Sequence, residues 1–136
     1  MASVQDKLTT DSIKTIHQEL RTKIRNANKK HPNYRKYRLK IASRLLKKLH
    51  SADFLQSAAN STETSLSTRV KISKHAGEIS KLIFRLLDDS DEGGQGEFTL
   101  VSACIFVHLS AMTQDASHLV ALLHLLFMLR ANWTSM

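Results

Sequence analysis

The scarcity of residues that interrupt helices constrains this chain most. Its 136 residues include four glycines and one proline, and three of the glycines lie together in residues 93–96. Long stretches carry no turn signal, while helix-forming residues such as Leu, Ala, Lys and Arg dominate. The sequence therefore predicts an all-α fold, and its length predicts one folding unit with a modest core.

Hydrophobic periodicity divides the chain into about five helices. We expect a basic helical arm over residues 1–60 and a helical core domain over residues 61–136. The predicted helices cover residues 3–28, 34–59, 67–87, 99–112 and 116–131. The last two are apolar and are expected to form a hairpin, because each is shorter than the roughly 20 residues that a membrane span needs.

The expected core joins the third helix to this hairpin. The side chains predicted to be buried together are Ile79, Ile83, Leu100, Ile105, Phe106, Leu109, Leu122, Leu126 and Phe127. On the first helix, a thinner apolar stripe comprises Leu8, Ile13, Ile16, Leu20 and Ile24. Polar residues suited to cap helix starts are Asp11 or Ser12 for the first helix, Thr99 for the fourth and Asp115 for the fifth.

Charge divides the chain unevenly. Residues 21–48 carry twelve Lys or Arg and no acidic residue. Residues 1–50 have fourteen basic and three acidic residues, a charge of +11, against six basic and nine acidic residues in the remainder. A chain divided in this way is typical of a protein that binds polyanions or acidic protein surfaces.

The candidate binding residues are cations of this arm, and we expect the seven from Arg35 to Lys48 to stand exposed. They are Lys29, Lys30, Arg35, Lys36, Arg38, Lys40, Arg44, Lys47 and Lys48. Three interpretations stay open: RNA binding through phosphates with stacking on His31, Tyr34 and Tyr37, recognition of the short basic clusters by a nuclear import receptor, and a merely solvated helix face.

No set of residues predicts catalysis, a metal site or a cofactor. The acidic segment 88–97 resembles a calcium loop, but the position that must supply a bidentate carboxylate is Thr99 or Leu100, so we expect no tight calcium binding. Cys104 and His108 share a helical face, yet their apolar surroundings favour a buried, slowly reacting thiol. His118 and His124 are expected to lie at the edge of the core. We therefore predict that the protein is not an enzyme.

The compartment follows from two weaker signals. Cys104 is the one cysteine, so an intrachain disulfide is impossible and a reducing compartment is expected. Residues 1–11 lack the apolar segment of a signal peptide, and we expect none.

Three short motifs in the second half resemble a known family. Ile72-Ser73-Lys74-His75 opens an amphipathic helix, Phe98-Thr99-Leu100 opens the next apolar helix, and residues 111–117, Ala-Met-Thr-Gln-Asp-Ala-Ser, form a polar break before a last apolar stretch. In order and spacing these motifs resemble the accessory C proteins of paramyxoviruses, especially those of the morbillivirus group. The resemblance covers residues 70–129, while the first half is similar only in its basic character.

The resemblance implies a non-enzymatic viral regulator. Such a protein would associate with the viral phosphoprotein and ribonucleocapsid, modulate transcription and replication by the viral polymerase, and antagonise host innate immunity, including interferon, through host proteins. It would be found in the host-cell cytoplasm, with the nucleus and the virion as further locations. The alternative from another class is a direct RNA-binding protein that sequesters double-stranded RNA or suppresses silencing. The oligomeric state stays open.

Overall fold

The computed structural model describes residues 4–88 and 96–113, together with the single positions Val120, Leu123, His124 and Phe127. Within these residues the chain forms five α-helices and no strand, which confirms the predicted all-α fold. The helices are α1 (Val4–Asn26), α2 (Tyr34–Ser51), α3 (Phe54–Asn60), α4 (Leu66–Asp88) and α5 (Gly96–Met112). Over this described part of the chain, no helix combines the length and the apolar character that crossing a bilayer requires.

All five helices contribute to one hydrophobic core. α1 packs along α4, α2 packs along α5, and the short α3 contacts both α4 and α5. The largest fully buried side chains include Ile13, Leu49, Leu55, Ile72, Ile79, Ile83, Leu86, Ile105, Phe106 and Leu109. Removing this apolar surface from water is the main stabilising contribution to such a fold. The basic helix α2 therefore has one side in the core and the other in solvent.

α1 starts within one residue of the predicted position but differs from the prediction in its cap and in its buried face. The helix begins at Val4, so neither Asp11 nor Ser12 caps it, and the Ser12 hydroxyl donates to the Leu8 carbonyl within the helix. The residues buried on α1 are Asp6, Thr9, Ile13, Ile16 and Leu20. Leu8 lies outside that register and is 56% exposed, so the predicted apolar stripe and the buried face of α1 do not coincide at this residue.

The single helix predicted over residues 34–59 is two helices. α2 ends at Ser51, where the backbone N–H of Ala52 donates to the carbonyls of Lys48 and Leu49, and α3 starts at Phe54. This break redirects the chain, so that Leu55 and Ala59 are buried against α4 and α5. No glycine or proline marks the break, which is why the hydrophobic pattern does not predict it.

α4 forms as predicted, with a cap that explains its start. The Ser65 hydroxyl oxygen accepts from the backbone N–H of Thr68 at 3.2 Å, the contact of a helix N-cap residue. The predicted burial of Ile79 and Ile83 is confirmed, and Ile72, Ala76 and Leu86 on the same face are buried with them.

The predicted core of α5 is partly confirmed. Ile105, Phe106 and Leu109 are buried, but Leu100 is 56% exposed, so its predicted burial is wrong. Thr99 is buried in the first turn of a helix that starts at Gly96, and it is not the N-cap. α5 is apolar nearly all round, so the sequence alone does not tell which side faces the core.

Several predictions fall on residues that the structure does not describe. These are most of the acidic segment 88–97, the cap at Asp115, His118, Leu122 and Leu126, and the arrangement of the last helix. One described position of that stretch differs from expectation, since Phe127 is 72% exposed rather than buried. His124, which was expected at the edge of the core, is exposed.

Candidate functional site

Four cations form a row on the outer side of α2. Lys36, Lys40, Arg44 and Lys47 are exposed, and their spacing places them within about 80° of arc at 3.6 residues per turn. We call this row the cationic ridge. The opposite side of the helix buries Ile41 among the core residues. The geometry of the helix thus collects like charges on the one side that burial leaves free.

Three further predicted cations lie exposed before or at the start of the ridge. Lys29 and Lys30 belong to the turn between α1 and α2, and Arg35 stands in the first turn of α2. The Lys30 backbone N–H donates to the side-chain oxygen of Asn28 at 3.0 Å, which holds this turn in shape. The exposure of Arg35 agrees with the prediction, and Lys29 and Lys30 are exposed beside it.

Arg38 is the exception among the predicted binding residues. It is 4% exposed, so its predicted place on the exposed surface is wrong. Its guanidinium donates to the backbone carbonyl of Leu86 at 3.0 Å and lies 4.1 Å from the centre of the Phe98 ring. A cation at the carboxyl end of a helix satisfies free carbonyls and is favoured by the helix dipole. Arg38 therefore joins α2 to the end of α4 and the start of α5.

Lys48 is also only partly available, because it forms an ion pair with Glu19 of α1. The hydrogen bond from Lys48 lowers the pKa of the Glu19 carboxyl, against a smaller opposing effect of burial. The pair connects α1 to α2 beside the ridge. Its charges offset each other, so Lys48 contributes less than the ridge residues to an anion-binding surface.

An apolar groove runs beside the ridge between α1 and the α2–α3 junction. Its volume is about 680 Å³. Its apolar lining comes from Leu8, Ile16, Ala52 and Phe54, and one wall carries Arg44, Lys47 and Lys48. Leu8 and Phe54 are 56% and 41% exposed, unusually open for large apolar side chains in a small core. The groove thus combines an apolar floor with a cationic wall.

The sequence reasoning missed this groove. The apolar stripe predicted on the first helix includes Leu8, and Phe54 lies close to the face of Leu49 in the helix predicted over residues 34–59, so neither residue was expected to line an open groove. The number of apolar residues on α1 could have revealed part of the groove. The helix has more apolar residues than one narrow buried stripe can hold, so some of them have to be exposed. The break at Ala52, which turns Phe54 toward the groove, carries no signal of its own.

Aromatic groups beside the cations are less uniformly placed than an RNA platform would require. Tyr37 is 40% exposed next to Lys36, and His31 is exposed, but Tyr34 is only partly exposed. One tyrosine at the edge of the ridge is available to stack on a base.

The Cys104 and His108 pair does not form the buried site that was considered. Cys104 is exposed, so its predicted burial is wrong. His108 points to α3, where its Nδ1 lies 2.8 Å from the side-chain nitrogen of Gln56, and its ring meets that of His50 edge-on at 5.9 Å. Burial lowers the pKa of His108, and nearby His50 lowers it further. His108 thus serves the contact between α3 and α5.

A second histidine pair, which the sequence did not predict, joins α1 to α4. The Nδ1 atoms of His17 and His75 lie 2.9 Å apart, so one nitrogen donates and the other accepts. Burial lowers the pKa of both rings, with support from nearby cations and opposition from Glu78. Two protonated rings would each present a hydrogen to the other, and the contact requires that at least one ring be neutral.

Among the described residues, no cluster of three or more His, Cys, Asp or Glu side chains is arranged to hold a metal ion. Comparison with models of protein families, with curated proteins and with solved structures finds no match. The ridge and the groove therefore have to be interpreted from their own chemistry.

Proposed function

We propose that this protein is a non-enzymatic binding protein that recognises an acidic, amphipathic segment of a partner protein through the groove and the cationic ridge. The observation that carries the proposal is the combination of surfaces: Arg44 and Lys47 belong to both, so one partner helix could place apolar residues in the groove and carboxylates on its wall. An amphipathic helix laid in an apolar groove is a common mode of protein recognition.

The resemblance to paramyxovirus C proteins supports the biological part of the proposal. We infer a viral accessory protein that contacts the phosphoprotein and ribonucleocapsid, modulates the polymerase and antagonises interferon induction in the host-cell cytoplasm. Its support is the order and spacing of the three sequence motifs, together with the charge division of the chain. Entry into the nucleus and packaging into virions belong to the same proposal, with the basic clusters before and in α2 as the residues that an import receptor would read.

The second candidate function is direct binding of RNA, which the exposed ridge and Tyr37 favour. Lysines and arginines spaced along one face can neutralise several phosphates, and an aromatic side chain can stack on a base. RNA binding through phosphates and base stacking does not require the apolar floor of the groove. This difference separates the two candidates.

Two probes test the candidates directly. One is a labelled helical peptide with leucines on one face and glutamates on the other, and the second is a short double-stranded RNA. Affinity for each is measured over a series of salt concentrations, for the natural chain and for the groove variant Phe54→Asp. The proposal predicts that the peptide binds with a weaker dependence on salt than the RNA and that Phe54→Asp weakens peptide binding at least about tenfold, a loss of about 1.4 kcal/mol.

RNA binding would give the opposite pattern. Its affinity falls steeply and linearly in the logarithm of salt concentration, and Phe54→Asp changes it little beyond the effect of one added negative charge. If the peptide fails to bind and the RNA binds in this manner, the protein-binding proposal is wrong and the second candidate replaces it.

The viral part has its own test. A reporter minigenome driven by a morbillivirus polymerase is measured in cells with and without this protein. We expect reduced reporter output with the natural chain, and restoration of output with the triple variant Lys36→Glu, Lys40→Glu and Lys47→Glu. An unchanged output with the natural chain would contradict regulation of that polymerase.

A further inference from the structure

The contact between His17 and His75 brings two nitrogen atoms of the same kind together. Their Nδ1 atoms lie 2.9 Å apart, although one residue is on α1 and the other is on α4, 58 positions further along the chain. The centres of the two rings are 5.2 Å apart, and the ring planes are inclined at 66°. Each imidazole therefore directs its Nδ1 atom into the same small space between the two helices.

Both imidazoles are in the form that binds a metal ion. Burial lowers the pKa of each ring, so both are uncharged at neutral pH. A neutral imidazole has one nitrogen with a free lone pair, and in this form histidine is the commonest metal ligand of proteins. In the observed contact one Nδ1 carries a hydrogen and the other accepts it. If that hydrogen moves to Nε2 of its own ring, two lone pairs face the same space.

The distance between the two nitrogens matches that of two neighbouring ligands on one metal ion. With metal–nitrogen bonds of about 2.0–2.1 Å, a right angle at the metal places the two nitrogens about 2.8–3.0 Å apart. Right angles between neighbouring ligands are the geometry that Cu²⁺ and Ni²⁺ prefer. A tetrahedral Zn²⁺ ion with bonds of the same length needs about 3.3 Å, so the two rings would have to move apart.

The charges that act on the pair come from both helices. Glu78 of α4 favours a positive charge at both rings. Arg21 of α1 opposes a positive charge at one ring, and Lys14 and Lys74 oppose it at the other. Both histidines are partly exposed, so water screens these charges and can complete the coordination of an ion. These surroundings suit a site of modest affinity with two protein ligands.

We propose that His17 and His75 form a two-histidine site for a divalent transition-metal ion, with Cu²⁺ and Ni²⁺ preferred to Zn²⁺ and with water as the remaining ligands. The ion takes the place of the hydrogen that the two Nδ1 atoms share. Because the two ligands come from α1 and α4, a bound ion joins two helices that pack along each other. The unfolded chain does not hold these ligands together, so the ion stabilises the folded chain.

The experiment uses the full chain without an affinity tag at pH 7.5. Ni²⁺ is the main probe, because Cu²⁺ can oxidise the exposed thiol of Cys104. The melting temperature is measured with and without Ni²⁺, and the dissociation constant is measured by calorimetric titration. At a Ni²⁺ concentration a hundredfold above the dissociation constant, we expect the melting temperature to rise by at least about 4 °C. A chelator should reverse the rise, and Zn²⁺ should give a smaller one.

The variants His17→Gln and His75→Gln each remove one ligand. Each should weaken Ni²⁺ binding at least about tenfold and abolish the rise in melting temperature. The control is His50→Gln, because His50 is exposed and the Nδ1 of its neighbour His108 contacts Gln56 instead. This variant should bind Ni²⁺ as the natural chain does. The melting temperature without metal shows that each variant folds, and one folded ligand variant is enough for the test.

Three results would overturn the proposal. The first is a melting temperature that Ni²⁺ does not raise. The second is Ni²⁺ binding that both ligand variants retain, which would indicate an adventitious ion only, held by other histidines of the chain. The third is a larger rise with Zn²⁺ than with Ni²⁺, since the right-angled geometry would then be wrong.

Discussion

α2 and α5 face the same core but present opposite surfaces to solvent. Each buries an apolar side, with Ile41 and Leu45 on α2 and Ile105 and Leu109 on α5. The free side of α2 carries the cationic ridge, whereas the free side of α5 exposes Leu100, Cys104 and Val107, with Glu97 in the first turn as the one charged residue of the helix. Packing requirements are therefore alike for the two helices, and only their outer sides differ. The difference shows that the surface chemistry which distinguishes the two helices is carried by solvent-facing side chains. Packing of the core does not depend on these side chains.

The comparison predicts that changes on the buried sides act on stability alone. The largest effect is expected for Phe106→Ala, because Phe106 is fully buried and its ring meets that of Phe84 at 4.8 Å. Truncating a buried phenylalanine costs about 3–5 kcal/mol of unfolding free energy. Denaturant titration measures this loss, with Val107→Ala on the exposed side of α5 as the control. Equal effects of the two variants would break the distinction between the sides of α5.

Arg38 sharpens the comparison, since it is a cation of α2 that belongs to the core side. Replacing it with methionine keeps the aliphatic stem but removes the bond to the Leu86 carbonyl and the contact with Phe98. Losing a hydrogen bond from a charged donor costs about 1.5–3 kcal/mol. The matched variant Arg44→Met, at an exposed position of the ridge, should change stability by about 0.5 kcal/mol or less. Denaturant titration of both variants checks this, and an Arg38→Met protein as stable as the natural chain would show that the bond to Leu86 and the contact with Phe98 contribute little to stability.

A smaller effect concerns pH and the contact between α1 and α4. His17 and His75 have lowered pKa values in the folded chain, while the unfolded chain takes up protons near the ordinary value of 6.5. The unfolded state therefore binds more protons below that pH, so the stabilising contribution is complete above about pH 6.5 and is lost as pH falls. The groups around the pair include Arg21, Lys14, Lys74 and Glu78, of which only Glu78 favours protonation.

The melting temperature measured from pH 7.5 down to pH 5 tests this expectation. The double variant His17→Gln with His75→Gln should flatten the decline, and His31→Gln, at an exposed histidine of the α1–α2 turn, should leave it as in the natural chain. A decline that the double variant does not alter would place the acid sensitivity elsewhere, with His108 as the next group to test.

How far the sequence predicts the structure depends on how narrow each pattern is. The stripe of Ile79 and Ile83 repeats at a helical period among polar residues, and both side chains are buried as predicted. α5 has apolar residues nearly all round, so Leu100 and Cys104 were assigned to the core although they face solvent. A pattern identifies the buried side of a helix only when the other side is polar.

The candidate site shows a different limit. Exposure of the ridge follows from charge, since isolated lysines and arginines are rarely buried. Arg38 is an exception to that rule, because its guanidinium contacts the Leu86 carbonyl of α4 and the Phe98 ring of α5. These partners lie 48 and 60 residues further along the chain. The groove likewise depends on the break between α2 and α3, which no local residue signals. A local sequence pattern does not predict contacts between residues that are distant in sequence, and both features depend on such contacts.

The central claim is that the cationic ridge performs the function and is separable from the fold. The direct measurement compares the triple variant Lys36→Glu, Lys40→Glu and Lys47→Glu with a control that moves the net charge by the same amount on α4, Lys71→Glu, Lys81→Glu and Arg85→Glu. Affinity for the acidic peptide and the melting temperature are recorded for both. The account predicts that the ridge variant loses binding at least about a hundredfold, or about 2.7 kcal/mol, with a melting temperature close to that of the natural chain, while the control retains most of its affinity. Equal losses in the two variants, or binding that survives in the ridge variant, would contradict it.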